Sequence, residues 1–438
     1  MIYIIAAILI FGVLIAVHEL GHFLAAKACG VRVNEFSIGM GPALLKKTKG
    51  DTQYSLRLLP IGGFCAMEGE EEDSSDPAAL NNQGFWQKLL IFAAGALMNF
   101  LAGLIIILVL YAGVKAVNVP VIRGFAEGCP LESAAGLREG DRILSIDGER
   151  IYTFSDVSLL LGRNKTGDFD LVIRRDGQKL RLENFHMERG EYLDQSGEKF
   201  TGFGLYFGAE ELTFGGRLEY CWNQAVDFVR LVRLSLQMLI TGEAGFSDMS
   251  GPVGIVSTIT TVGEQSENAR AAAANIAYLA ALIAVNLAVM NLLPLPALDG
   301  GKIFFLVVNA LCMLTIRKQI PAKFENYVHL AGFILLMGLM LVITFQDGTV
   351  HKCTRVTFIT ITYNIAGFLC LACNLRPFLA CRESCTATTA KPGFSYFINN
   401  FLRGHASHHF CKCLIASHSN ILFDRFRIDF SAVFKNDT

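Results

Sequence analysis

The chain has 438 residues, of which 52% are hydrophobic and 18% are charged, and its mean hydropathy is +0.42. Soluble proteins contain about 25% charged residues, so this composition excludes an ordinary soluble fold and predicts membrane spans. The formal net charge of -1 lacks the basic excess typical of nucleic-acid binding, so no nucleic-acid partner is expected.

Four apolar stretches are long enough to cross a bilayer core of about 30 Å, which takes roughly 20 helical residues. They lie at about 2–26, 89–114, 275–298 and 328–345. The first lacks the basic n-region and the cleavage site of a signal peptide, so we interpret it as a retained helix. Lys and Arg are concentrated after the first and third spans, which predicts that these loops are cytoplasmic and that residues 115–274 lie outside.

The first loop contains an alternating segment, 54–67, which is interrupted by Gly62 and Gly63. This pattern predicts a short β-hairpin that turns at the two glycines and lies against the membrane. The acidic stretch that follows, 68–76, is expected to be a solvated loop.

Residues 115–213 have the composition of a small domain with polar turns and short Val/Ile/Leu strands. Ile143 and Ile146 mark one buried strand, and further strands are predicted near 171–175 and 179–182.

The region that connects this domain to the third span, 214–274, contains a segment with helical spacing at 222–240. This segment carries Arg230 and Arg233 among apolar residues. It is interpreted either as a helix on the membrane surface or as an amphipathic helix packed on the domain.

The first span ends in an H-E-x-x-H sequence formed by His18, Glu19 and His22. Residues four apart share one face of a helix, so both imidazoles can bind one Zn²⁺. Glu19 lies on the adjoining face, where it can act as general base on a water molecule whose pKa the metal lowers to about 7. A chance match is the alternative, but a charge inside a span costs about 2.5–3.5 kcal/mol, and a metal is the simplest partner for this group.

A zinc site needs a third protein ligand, and Asp299 is the candidate at the end of the third span. Pro294 and Pro296 break the helix there, so Asp299 can reach the depth of the two histidines. As an alternative, an isolated Leu-Asp-Gly could cap a turn at the membrane surface.

The sequences HELGH at 18–22 and NLLPLPALDGG at 291–301 resemble the two signature motifs of the site-2 protease family of intramembrane zinc metalloproteases. The similarity spans about residues 1–347 and is greatest to the bacterial branch that performs regulated intramembrane proteolysis. Smaller motifs agree with it, although Ala96 stands where related proteins often have proline. These smaller motifs are GMGP at 39–42, the segment 57–67, GALMNF at 95–100 and SGPVG at 250–254.

Carried over residue by residue, the resemblance implies that the two histidines and Asp299 bind zinc and that Glu19 is the general base. It also implies that two groups of residues hold the substrate, the second group by pairing with an extended substrate strand. These residues are Asn286 and Asn291 in the third span and Gly62, Gly63 and Met67 in the hairpin.

The segment 128–148 resembles the core of a bacterial PDZ domain, which implies that peptide C-termini bind by strand addition. The alternative is a structural β-domain with a degenerate groove. His186 and His329 are isolated, and each is expected to be a surface or packing residue.

The last part of the chain, 348–438, differs from the rest because it holds seven of the twelve cysteines. We interpret it as the product of a shifted reading frame or a gene-boundary error. The alternative is a genuine extracytoplasmic tail in which the cysteines form disulfides or bind metal. A fifth, weaker candidate span lies within it at 357–375.

The sequence therefore predicts a polytopic α-helical protein of a bacterial cell membrane, with about four spans and an inserted extracytoplasmic PDZ-like α+β domain. The predicted function is that of a zinc-dependent endopeptidase. The resemblance implies that it acts on single-pass membrane proteins already trimmed outside, such as anti-sigma factors or signal-peptide remnants. A scaffold with structural zinc and a metal transporter are the other function classes. The predicted divisions are 1–114, 115–213, 214–274, 275–347 and 348–438.

Overall fold

The computed structural model describes residues 2–70, 74–133, 136–193, 199–243, 245, 250–318 and 320–350. All of these residues belong to one compact unit of the chain. The predictions made for the tail, including the fifth candidate span, lie outside the described residues.

The secondary structure of the described residues combines long helices with two separate sheet regions. The helices are α1 (Ile2–Ala28), α2 (Phe85–Tyr111), α3 (Phe154–Arg163), α4 (Phe214–Thr241), α5 (Pro252–Gln265), α6 (Ala269–Leu292), α7 (Asp299–Thr315) and α8 (Ala322–Val350). The strands are β1 (Val33–Lys49), β2 (Thr52–Met67), β3 (Ala116–Phe125), β4 (Arg142–Ile146), β5 (Glu149–Arg150), β6 (Asp168–Arg175), β7 (Gln178–His186), β8 (Gly190–Leu193), β9 (Lys199–Gly202) and β10 (Leu205–Glu211).

Four helices of the described chain are long and apolar enough to cross a membrane: α1, α2, α6 and the stretch Lys323–Phe345 of α8. The predicted number of spans is confirmed, although the helix ends differ. The second span begins earlier, at Phe85, because the side chain of Gln87 accepts a hydrogen bond from the Gly84 amide and caps the first turn (2.9 Å). The third ends at Leu292, ahead of two prolines that cannot continue a helix.

The membrane-side hairpin was predicted with the wrong turn. β1 and β2 are antiparallel and connect through a two-residue loop between Lys49 and Thr52, where Gly50 adopts a φ of +61°. Gly62 and Gly63 lie inside β2 instead.

The β1–β2 sheet has the order 43–49, 53–57, 33–38, 63–67, because the register of β2 places its two ends on opposite sides of one β1 segment. The guanidinium of Arg57 holds this folded arrangement together. It donates hydrogen bonds to the Glu35 carboxylate (2.7 Å), the Ser37 hydroxyl (2.9 Å) and the Gly41 carbonyl (2.8 Å). Residues 63–67 therefore form the outermost segment of the sheet.

The region 115–213 is an α+β domain built on the strand order β10-β3-β4-β6-β7, with β5 paired to β4. Ile143 and Ile146 are buried in its core, as predicted. The strands expected near 171–175 and 179–182 are the hairpin of β6 and β7. Burial of such side chains between the sheet and α3 stabilises the domain by about 1.5–3 kcal/mol each.

Helix α4 packs on both the α+β domain and the long helices. Arg230 pairs with Asp156 at the start of α3, and Arg233 pairs with Glu149 (2.6 Å). On another face, Gln224 donates a hydrogen bond to the Tyr278 hydroxyl of α6 (3.3 Å). The packing alternative for this segment is therefore the one that the contacts support.

Candidate metal centre and active site

Three side chains from two distant parts of the chain converge on one point. His18 and His22 lie one turn apart on α1, and Asp299 is the first residue of α7. The two Nε2 atoms are 3.2 Å apart. The Asp299 Oδ2 atom lies 3.1 Å from the first and 3.2 Å from the second. Both histidines are buried, at 8% and 7% exposure.

This triangle has the dimensions of a zinc site. Tetrahedral zinc with bonds of about 2.0–2.1 Å separates its ligand atoms by about 3.3 Å. Three acceptor atoms this close repel one another unless a cation or protons lie between them. No other group of three candidate ligands occurs among the described residues. Three protein ligands are typical of catalytic zinc sites, whereas structural sites have four.

The turn before α7 brings Asp299 to this point. Ala297 adopts a φ of +74°, and its amide donates to the Nδ1 atom of His329 in α8 (2.9 Å). A Cβ atom at Gly300 would lie 2.1 Å from the Leu293 carbonyl oxygen, so only glycine allows this close return. His329 is thus a packing residue, as expected.

Helix α2 forms the wall behind the histidines. A Cβ atom at Gly95 would lie 2.4 Å from His22 Nε2 and 2.7 Å from His18 Cε1. Likewise a Cβ atom at Gly21 of α1 would lie 2.4 Å from the carbonyl oxygen of Ala94. Gly21 therefore allows the backbones of the two helices to approach closely, and Gly95 leaves the space that the imidazole rings occupy.

Comparison with known proteins agrees with this geometry. The model of peptidase family M50, the site-2 protease family, matches residues 6–339. The chain belongs to peptidase family M50. A Clostridium perfringens protein with the provisional name of a zinc metalloprotease is 38% identical over 353 residues, which cover 79% of this chain and 98% of that protein.

Two further relatives match about the same share of this chain. The regulator of sigma-W protease RasP of Bacillus subtilis is 28% identical over 427 residues, covering 78% of this chain and 97% of that protein. A Synechocystis protein, also provisionally named a zinc metalloprotease, is 32% identical over 361 residues, which cover 78% of this chain and 93% of that protein. The protein is therefore a site-2 type zinc metalloprotease of the membrane, which confirms the predicted enzyme class and sets the scaffold and transporter alternatives aside.

In this M50 protease, Glu19 points from α1 toward β2. Its Oε2 atom accepts a hydrogen bond from the Cys65 amide (3.0 Å). Gly63 lies beside it, since a Cβ atom there would be 3.6 Å from Glu19 Cγ. Burial, together with the nearby carboxylates of Glu19 and Glu70, raises the pKa of the Cys65 thiol, so the thiol stays neutral.

A second carboxylate contacts the same strand. Glu70 accepts a hydrogen bond from the Met67 amide (3.4 Å) and pairs with Lys302 of α7 (2.8 Å). Lys302 also lies over the ring of Phe92, 5.4 Å from its centre. Burial lowers the pKa of Lys302, but the carboxylates of Glu70 and Asp299 outweigh that effect and raise it.

The Glu70–Lys302 pair was missed by sequence reasoning. Glu70 falls in the acidic stretch that was expected to be solvated, yet its side chain is only 12% exposed. That expectation is wrong for this residue, because a lysine 232 positions later in the chain compensates its charge. No local pattern could have indicated the pairing.

The two asparagines predicted to hold substrate lie on different faces of α6. Asn291 is buried, with its Nδ2 atom 3.4 Å from His18 Nδ1. Asn286 is exposed, because five helical residues correspond to a rotation of about 140° between the two side chains. The structure thus brings Asn291 to the metal centre and leaves Asn286 apart from it.

Asn99 of α2 is a further residue that the sequence did not single out. Its Nδ2 atom lies 3.4 Å from His18 Nδ1, and the residue is 1% exposed. It falls within the GALMNF segment that resembles the family, but nothing in that segment alone indicated a contact with the histidine. His186, by contrast, is an exposed residue that pairs with Asp168 (2.7 Å) and Glu188 (3.1 Å).

Proposed function

We propose that His18, His22 and Asp299 are the zinc ligands of an intramembrane endopeptidase and that Glu19 is its general base. The observation that carries this proposal is the convergence of the three ligand atoms to within 3.2 Å of one another. Bound zinc supplies Lewis acidity, which polarises the scissile carbonyl and lowers the pKa of water.

The surroundings of Glu19 support its proposed role. Its carboxylate accepts the proton that the attacking water loses and then donates it to the leaving amine nitrogen. The hydrogen bond from the Cys65 amide (3.0 Å) holds one carboxylate oxygen in place. We assign the proton transfer to the other oxygen, Oε1.

The proposed substrates are single-pass membrane proteins that have already been trimmed outside the membrane, such as anti-sigma factors or signal-peptide remnants. The name of the Bacillus subtilis relative, which refers to the regulation of sigma-W, supports the first class. A transmembrane helix must be unwound before its peptide bonds can be attacked. Residues 63–67 of β2 would pair with the unwound segment, and Asn291 beside His18 would hold its backbone, as would Asn286 farther along α6.

The strand-pairing proposal is supported by the contacts of β2. The Cys65 and Met67 amides donate to the carboxylates of Glu19 and Glu70. An extended substrate strand can replace such contacts with backbone hydrogen bonds. Gly62 and Gly63 begin this segment, and a Cβ atom at Gly63 would lie 2.6 Å from the Ser37 carbonyl oxygen of β1, so the missing side chain lets this part of β2 lie close to β1 beside Glu19.

We also propose that the α+β domain, residues 115–213, lies on the extracytoplasmic side of the cell membrane and binds peptide C-termini in the manner of a PDZ domain. The distribution of basic residues supports this placement, because both Lys/Arg-rich loops lie on the other side of the spans. The likeness of residues 128–148 to a PDZ core supports the binding mode.

The test is cleavage of a single-pass model substrate that lacks its ectodomain, using the full-length protein in vesicles. Glu19→Gln should slow cleavage by about 10²–10⁴-fold, the usual contribution of a general base, while bound zinc stays unchanged. Glu267→Gln, at an exposed position, is the matched control and should cleave at the parental rate. Cleavage by the Glu19→Gln form at that rate would contradict the proposed mechanism.

A further inference from the structure

The Nδ1 atom of each of the two histidines, His18 and His22, contacts a residue of α2, but the two contacts differ. His22 Nδ1 donates to the carbonyl oxygen of Ile91 (2.8 Å). That bond leaves the His22 Nε2 lone pair directed at Asp299. Among the residues that the structure describes, His18 Nδ1 has no backbone carbonyl partner of this kind. It lies 3.4 Å from the amide nitrogens of both Asn99 and Asn291.

The chemistry of a metal-binding imidazole requires an acceptor at this place. When Nε2 of a neutral imidazole binds a metal, Nδ1 carries the proton and donates it to a carbonyl or carboxylate oxygen. The –NH₂ group of an asparagine cannot accept this proton, whereas its Oδ1 atom can. Rotation of the amide by 180° about the Cβ–Cγ bond exchanges the two atoms.

A buried carbonyl oxygen without a partner distinguishes Asn99 from Asn291 as the acceptor. Asn99 Oδ1 is buried and has no hydrogen-bond partner among the described residues. Within the described part of the chain, Asn291 Oδ1 is not both buried and without a partner. Rotation of the Asn99 amide therefore satisfies two groups at once, its own carbonyl oxygen and the Nδ1–H of His18.

We propose that Asn99 is a positioning residue that accepts the Nδ1 proton of His18 and thereby directs His18 Nε2 toward His22 and Asp299. This inference rests on the proposed role of His18 as a zinc ligand. Ile91, Gly95 and Asn99 are spaced four residues apart and follow one face of α2. The two outer positions orient the two imidazoles, and the glycine between them leaves the space that the rings occupy. Asn291 then remains available for substrate.

The test is the zinc affinity of the full-length protein in detergent, measured by competition with a chromophoric chelator. Asn99→Leu removes the acceptor at similar volume and should weaken zinc binding by about 10–100-fold, the usual effect of losing such an outer partner. Asn99→Asp keeps an acceptor oxygen and should bind zinc at least as tightly as the parent. Asn291→Leu, at the same distance from His18, is the matched control and should keep the parental affinity.

Two results would overturn the proposal: parental zinc affinity in Asn99→Leu, or equally weakened affinity in Asn99→Leu and Asn99→Asp. A purely structural role for Asn99 would not produce rescue by aspartate. If leucine prevents folding, Asn99→Ala removes the acceptor without added volume and serves in its place. His18→Ala distinguishes a failure of the Asn99 role from a failure of the zinc-ligand assignment. Loss of zinc there with parental affinity in Asn99→Leu defeats only the Asn99 role, whereas parental affinity in His18→Ala defeats the ligand assignment itself.

Discussion

Helix α2 and strand β2 approach the metal centre from different sides and contact it by different means. Helix α2 meets the histidines through close packing at Gly95 and through the Ile91 carbonyl. Strand β2 meets Glu19 through the amide of Cys65. An added atom at Gly95 would displace the imidazole rings, whereas a backbone hydrogen bond can be exchanged for another. The geometry of the proposed ligands therefore depends on the volume at Gly95, and the position of the proposed base depends on contacts that a substrate strand could replace.

The largest effect on activity is expected at Gly95, where a single added methyl group would displace both imidazole rings. In Gly95→Ala the new Cβ atom would lie 2.4 Å from His22 Nε2 and 2.7 Å from His18 Cε1. Because these are atoms of side chains, the rings move and the backbone stays. We expect cleavage to fall by about 100-fold or more with little change in the temperature of unfolding.

The matched control for this experiment is Gly338→Ala in α8, where an added Cβ atom has no neighbour within 4 Å. It should keep the parental zinc content and activity. Undiminished zinc binding in Gly95→Ala, measured on the purified protein, would show that volume at this position does not set the ligand geometry.

On the β2 side, the largest effect on stability is expected at the Glu70–Lys302 pair. Its side chains are 12% and 16% exposed, and removing one partner of a buried pair costs about 3–5 kcal/mol. Lys302→Met should therefore lower the free energy of unfolding by about 3 kcal/mol, near the lower end because the pair is partly solvated. Denaturant titration of the purified protein measures this change.

The double variant Glu70→Gln/Lys302→Met separates the charge from the packing. It leaves no uncompensated charge, so it should recover most of the stability that Lys302→Met loses. If the double variant is no more stable than the single one, the ion pair is not what joins α7 to the end of β2.

The smallest effects on stability are expected at the two isolated histidines, His329 and His186. His329→Leu removes the acceptor for the Ala297 amide, which should lower the free energy of unfolding by about 1 kcal/mol and weaken zinc binding. His186→Leu changes an exposed residue and should alter stability by no more than about 0.5 kcal/mol. Equal effects of the two substitutions, in denaturant titrations run side by side, would remove His329 from the support of Asp299.

Local patterns predicted most of the membrane part and the three residues that converge at the candidate metal centre. The spacing of His18 and His22 depends only on helical geometry, and α1 extends through both residues as expected. The break after the third span follows from its two prolines. The prediction failed at Gly62 and Gly63, because glycine marks a position that needs backbone freedom without showing whether it is a turn or a bend within a strand.

Hydrophobicity, helical period and the two short motifs are properties of neighbouring residues, so the sequence by itself determined the four spans, the enzyme class and three candidate zinc ligands. The tertiary structure alone decided which residues support them. Asn99, Glu70 and His329 acquire their contacts from elements 81, 232 and 32 residues away. Burial and hydrogen-bond demand at such positions arise only when those elements pack, so no local pattern encodes them.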